Sequence, residues 1–241
     1  MTKLSEFIST ERERFDDEDN NRFAIGFSQI SRYQLFLSLI LERYEEVSQR
    51  FIENQKATQA LLLPGTHKMT AEHMALHEAG VRLMAMLHLE IETFYLFATI
   101  YLDKISRALE FYFGQGRGNS LDSHDQLVKN FVAYADEKGL SIPANFMDFA
   151  VMLKRDVSDF RDYQISHEKN PRRLNATMFD NEGNVWMAGT SLYPKEKDQQ
   201  VESKVLKQMM QDLDLYIDSV ISLLRANVNK TRLKRKPEQK S

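Results

Sequence analysis

The sequence predicts an all-α fold, an elongated bundle of about five main helices with a small β-hairpin before the last one. Three observations predict it. Apolar residues recur at steps of three and four over long stretches, as one face of a helix requires. Nine glycines and five prolines in 241 residues are too few for the turns of a many-stranded sheet. Helix-stop signals, Pro64-Gly65, Lys138-Gly139 and Asn170-Pro171, divide the periodic runs.

Residues 1–21 open with a short amphipathic turn and run into Asp16-Asp17-Glu18-Asp19-Asn20-Asn21, read as a solvated connector or helix start. The patch lacks the glycine and distal glutamate of a calcium loop. From Arg22 to about Leu63, Ile30, Tyr33, Leu37, Ile40, Tyr44, Val47 and Phe51 form one helical stripe. A second long helix spans about Thr70 to Phe113, with Thr70 as its N-cap and Glu72 in its first turn. Its stripe reads Met74, His77, Val81, Met84, His88, Ile91, Tyr95, Ala98, Leu102, Ile105, Leu109 and Tyr112. Leu83, Leu87, Phe94, Phe97 and Tyr101 make a second apolar row beside it, so this helix is expected at the centre, surrounded by others.

The glycine-rich stretch Gly114-Gln115-Gly116-Arg117-Gly118-Asn119 is a connector, since no Gly-Lys-Ser/Thr follows it. A shorter helix covers about Ser120 to Glu137. The next runs from about Ala144 to Glu168 on a stripe of Phe146, Phe149, Leu153, Val157, Phe160, Gln164 and His167. Between Leu174 and Pro194 the period changes to that of a hairpin, with a turn over Asp180 to Asn184. The last helix extends from about Lys197 to Asn229 through Leu206, Met209, Leu213, Tyr216, Val220 and Leu223. One bundle domain over 1–229, carrying the hairpin over about 174–193, is the expected organisation. A basic disordered tail is expected over 230–241.

Charge is placed unevenly. Residues 230–241 hold six Lys or Arg against one Glu, a net of +5, which leaves −8 for the rest of a chain at −3 overall. Cysteine is absent, which excludes disulfides, thiolate metal sites and a cysteine nucleophile, and fits a cytoplasmic protein. The first residues lack the basic start and apolar run of a signal peptide. The longest uncharged apolar stretch, Thr93 to Leu102, is half of a membrane span, so no membrane insertion is expected.

No histidine has an acidic residue three positions before it, so the Glu-x-x-His pattern of di-iron bundles is missing. His73 and His77 stand four apart on one helix face, without a sequence signature for a metal site. Neither a metal nor a cofactor is expected. Chemistry is concentrated in Phe160-Arg161-Asp162-Tyr163-Gln164-Ile165-Ser166-His167. An arginine neutralises a phosphate by bidentate hydrogen bonds, and a histidine moves a proton near neutral pH. Arg82 and His88 share this spacing, and Arg117 and His124 are one residue further apart. Arg161 differs in being followed by the polar Asp162, and His167 in lying beside the basic residues Lys169, Arg172 and Arg173. On an ideal helix, six residues make about 9 Å of rise and about 600° of turn, which leaves Arg161 and His167 about 120° apart.

This Arg-Asp-x4-His segment and the helical layout resemble the HEPN superfamily of small helical-bundle proteins. Its active members carry an Arg, a polar residue and then a His at this spacing. The resemblance implies a metal-independent endoribonuclease of a toxin–antitoxin or anti-phage system, working as a homodimer with the motif at the interface. Arg161 and His167 would then be catalytic, Asp162 and Tyr163 supporting, and Lys169, Arg172 and Arg173 RNA-binding. An antitoxin-like protein partner belongs to the same expectation. The alternative is a non-catalytic helical interaction protein that docks a partner through exposed parts of its stripes.

Overall fold

The computed structural model describes residues 3–61, 70–159, 161–162, 173–178, 187–193 and 206–236. The fold is all-α. Among the described residues the helices are α1 (Lys3–Arg12), α2 (Asp17–Ala60), α3 (Ala71–Phe113), α4 (His124–Lys138), α5 (Phe146–Leu153) and α6 (Leu206–Ala226). Two backbone segments, β1 (Arg173–Met178) and β2 (Met187–Tyr193), lie antiparallel, with Arg173 opposite Tyr193 and Ala176 opposite Thr190. The chain falls into two compact units. The first comprises Met1–Leu37, Leu96–Asp159 and Met209–Ser241, the second Ser38–Tyr95 and Phe160–Gln208.

In the first unit the core is aromatic. Phe23 lies 4.5 Å from Phe27, 5.2 Å from Phe15, 6.0 Å from Tyr112 and 6.2 Å from Phe7, measured between ring centres. All five rings are buried. They meet because α1 brings Phe7, the connection to α2 brings Phe15, α2 places Phe23 and Phe27 four residues apart, and Tyr112 lies beside them at the last turn of α3. The Tyr112 hydroxyl donates to the buried Glu11 carboxylate at 3.1 Å, and burial followed by that carboxylate pushes the phenol up. A second cluster joins α4, α5 and α6, with Phe146 at 4.6 Å from Phe131 and 5.8 Å from Tyr216.

Local signals fix the helix ends. Ser123 caps α4 by accepting from the Gln126 amide at 3.2 Å, and Gly139 ends it in the left-handed conformation at φ 62°. Asp16 caps α2 by accepting from the Asp19 amide at 2.9 Å, so the acidic patch is a helix start. Its Asp19 is not solvated; it is buried and accepts from the Lys234 amide at 2.8 Å.

That contact belongs to a correction at the C-terminus. The segment from Lys230 to Lys236 is docked rather than a free tail. The Arg232 amide donates to Tyr112 O at 3.0 Å, the Lys236 amide to Arg14 O at 3.0 Å, and the Asp16 amide to Lys234 O at 3.0 Å. Leu233 is buried beneath them. Backbone bonding is joined by Thr231 Oγ1, which donates to Tyr112 O at 2.9 Å, and by Arg232 Nε, which donates to Phe111 O at 2.7 Å. Residues 237–241 lie outside the described part.

The helix expected over 144–168 is α-helical only to Leu153. From Lys154 to Asp159 it widens into a π-helix, a wide winding of the kind associated with functional sites. The divergence of about 120° expected between Arg161 and His167 on an ideal helix falls on residues that lie outside the described part.

In the second unit, α2 and α3 run antiparallel beside each other. The Asn54 amide donates to Leu76 O at 3.0 Å, and Arg43 pairs with the buried Glu90 at 2.7 Å. Ile40, Tyr44, Val47 and Phe51 on α2 are buried, as are Leu83, Leu87, Ile91 and Phe94 on α3. Gly80 permits the close approach, since a Cβ there would lie 2.8 Å from Asn54 Oδ1. The expected core stripe is therefore wrong for the first half of α3, where Met74, Val81 and Met84 are exposed and the second row is the buried one. The reason is the number of neighbours. A helix with two apolar rows buries both only when other helices cover both sides, and among the described residues α2 covers one.

By length and composition α3 would suffice to cross a membrane, with 44% of its most apolar stretch buried inside the protein. The core helix of a soluble protein has the same properties.

Candidate functional site

Arg161 sits at the end of the widened helix, half-buried. Its Nε donates to Asp162 Oδ1 at 2.8 Å, and Nη2 donates to the same oxygen. Asp162 thus orients the guanidinium, as the adjacency of the two residues implies, and engages two of its five N–H donors. The rest of the motif, Tyr163 and His167, lies outside the described residues, as do Lys169 and Arg172. Arg173 is the first residue of β1.

The other Arg–His pairs are not brought to chemistry. Arg82 is exposed while His88 is half-buried on α3. The Arg117 amide is tied to the Glu137 carboxylate at 2.9 and 3.1 Å, and His124 is fully buried at the start of α4. His73 engages Thr70 Oγ1 at 3.0 Å, and among the described residues no three His, Asp or Glu side chains gather as metal ligands.

His124 is the most perturbed of the described histidines. Both ring nitrogens lack a hydrogen-bond partner, and the ring stands edge-on to Tyr216 with centres 5.6 Å apart. Burial, reinforced by the Lys154 charge, lowers its pKa from 6.5 to about 3. The folded protein therefore holds it neutral, whereas the unfolded chain takes up a proton below pH 6.5. Stability is unaffected by this group above that pH and falls as the pH drops from 6.5 towards 3. Replacing His124 by Phe should flatten this part of the profile of urea midpoints between pH 7.5 and 4. Parallel wild-type and variant profiles would refute the assignment.

A small groove of about 300 Å³ between α1 and α6 is lined by Lys3, Gln34, Asp214 and Asp218. Its charges are satisfied internally. Lys3 pairs with Asp218 at 2.5 Å, and Gln34 donates to Asp214 at 2.8 Å. The seam reads as packing rather than a site.

Unmatched surface of another kind occurs on α3. Met74, Val81, Met84 and Leu89 are 51%, 53%, 40% and 61% exposed. Around them Ala71, Ala75, Ala79 and Ala85 are also exposed, and the charged residues of this face are Glu72, Glu78 and Arg82. The exposed side of α2 in the same unit is of ordinary solvent type, with Glu42, Arg43, Glu45, Glu46, Arg50 and Glu53. Between the two helices lies a shallow groove of about 350 Å³ whose walls include Arg50, Ala75, Glu78, Ala79, Arg82 and Met86. Sequence reading missed this face because its residues scan as core. The available signal was that α3 carries two apolar rows.

Comparison with known families, characterised proteins and solved structures finds no match to this chain.

Proposed function

We propose that the chain is a helical interaction protein that docks a partner through the outward face of the first half of α3. The supporting observation is the exposure of Met74, Val81, Met84 and Leu89 on one helix whose neighbour presents a charged surface. Apolar area left in water forgoes about 25 cal/mol per Å², and a contiguous patch of it marks an interaction site. Methionine oxidation reads the face directly, because a covered thioether reacts slowly. Met74 and Met84 should oxidise several-fold more slowly in concentrated cell extract than in dilute purified protein. Equal rates in the two settings would remove the docking role.

A second reading is favoured by the Arg161–Asp162 contact: a HEPN-like, metal-independent ribonuclease acting in defence. A guanidinium held by its neighbour is pre-oriented to stabilise charge on a phosphorane. His167 would deprotonate the 2′-hydroxyl or protonate the leaving oxygen. RNA cleavage should then persist in chelator and leave cyclic phosphate ends. Arg161→Ala should cost about 2–4 kcal/mol of transition-state stabilisation, and His167→Ala should abolish cleavage. RNA that stays intact with the wild type at every pH and salt tested would dismiss this reading.

A further inference from the structure

We propose that the occupant of the α3 face is a second copy of this chain, lying antiparallel across it about a two-fold axis level with Gly80. The inference rests on the docking reading and names its partner; of the residues that carry that reading the seam takes up Leu89, with Met74 and Val81 along one edge. Six exposed positions carry it: Ala71, Ala75, Glu78, Arg82, Ala85 and Leu89. Their spacing alternates four and three, so they form one straight seam along the helix, centred opposite the buried Gly80.

The seam is self-complementary in one orientation. A two-fold axis at residue 80 sets each position against the one equally distant on the other side. Ala71 then meets Leu89 of the second copy, Ala75 meets Ala85, and Glu78 meets Arg82. Small residues allow the backbones to approach, the large Leu89 faces a small partner, and the central charges are opposite in sign. Parallel pairing would instead set Glu78 on Glu78 and Arg82 on Arg82, and like charges across a seam repel.

The groove on one flank adds to this. Arg50 of α2 lines it together with Glu78 and Arg82, so the incoming Glu78 carboxylate finds two guanidinium groups in reach. The seam from Ala71 to Leu89 is about 27 Å long and roughly 10 Å wide, or about 300 Å² per copy. Stable complexes bury about 800 Å² per partner, so a seam of this size gives a weak, reversible association.

Charge exchange tests the pairing. Glu78→Arg alone and Arg82→Glu alone should each weaken self-association at least tenfold by light scattering over a concentration series. The double variant should recover to within about threefold of wild type, and all three should keep the wild-type circular dichroism. Orientation is read separately, because the chain has no cysteine of its own. A mixture of Ala75→Cys and Ala85→Cys chains should form disulfide-linked dimers under mild oxidation, and each variant alone should form few.

A double variant as weak as the single ones, or same-position cross-links exceeding mixed ones, would overturn the antiparallel copy. A wild type that stays monomeric to about 100 μM while Met74 and Met84 are shielded in extract would overturn it and leave the docking reading standing. Monomeric protein with unshielded methionines would end both.

Discussion

Truncating Phe23 to Ala should destabilise the protein by about 3–5 kcal/mol, as large-to-small changes at fully buried aromatics do. Phe23 is fully buried and its ring lies within 6.2 Å of those of Phe7, Phe15, Phe27 and Tyr112. The cavity would open where α1, α2 and α3 meet, and the surrounding rings are held from several helices at once, so collapse into it is limited. Phe23→Leu, which keeps much of the volume, should recover a large part of the loss. Urea unfolding of the two variants checks the packing. A Phe23→Ala midpoint within experimental error of wild type would mean that this cluster is not closed as described.

The second large effect is expected at Asn227, just beyond α6. Its Oδ1 accepts from the Ser141 amide at 2.7 Å, and its Nδ2 donates to Ser141 O at 2.8 Å and Leu223 O at 2.9 Å. The residue is buried, so no water replaces these bonds. Asn227→Ala strands the Ser141 amide and the Ser141 carbonyl, while Leu223 O keeps the Asn227 backbone amide at 3.2 Å, and should cost about 2–3 kcal/mol. Asn227→Asp separates hydrogen bonding from packing. It keeps the acceptor for the Ser141 amide but turns an ionised oxygen towards two carbonyl oxygens. Its deficit should therefore be largest at neutral pH and shrink on acidification, when the new carboxyl regains a proton to donate. An Asn227→Asp deficit independent of pH would contradict this bonding pattern.

The helices were legible wherever one rule governed them. Thr70 caps α3, with its hydroxyl accepting from the His73 amide at 3.2 Å, and Gly139 closes α4, as their residue types indicate. What escaped depended on neighbours. The rows on α3 look equally apolar in sequence, and it is the packing of α2 that takes Leu83 and Leu87 inside while Val81 and Met84 stay exposed. The π-helix at Lys154–Asp159 carries no composition signal, so the stripe through Leu153 and Val157 read as continuous α-helix. The docking of Lys230–Lys236 joins backbone bonds with bonds from Thr231 Oγ1 to Tyr112 O and Arg232 Nε to Phe111 O, partners more than a hundred residues away that no local pattern announces. Of the candidate motif, the Arg161–Asp162 contact follows from adjacency. The α3 face was hidden by its resemblance to a core stripe.

The most direct measurement is sedimentation equilibrium of the wild type beside Leu89→Glu, a change at an exposed position that should leave folding stability within about 0.5 kcal/mol. The wild type should rise from the mass of one chain towards that of two as concentration increases. The variant should remain at the mass of one chain while keeping the wild-type helical content and melting temperature. A wild type that holds the monomer mass throughout, or a variant that associates as the wild type does, would contradict pairing through α3.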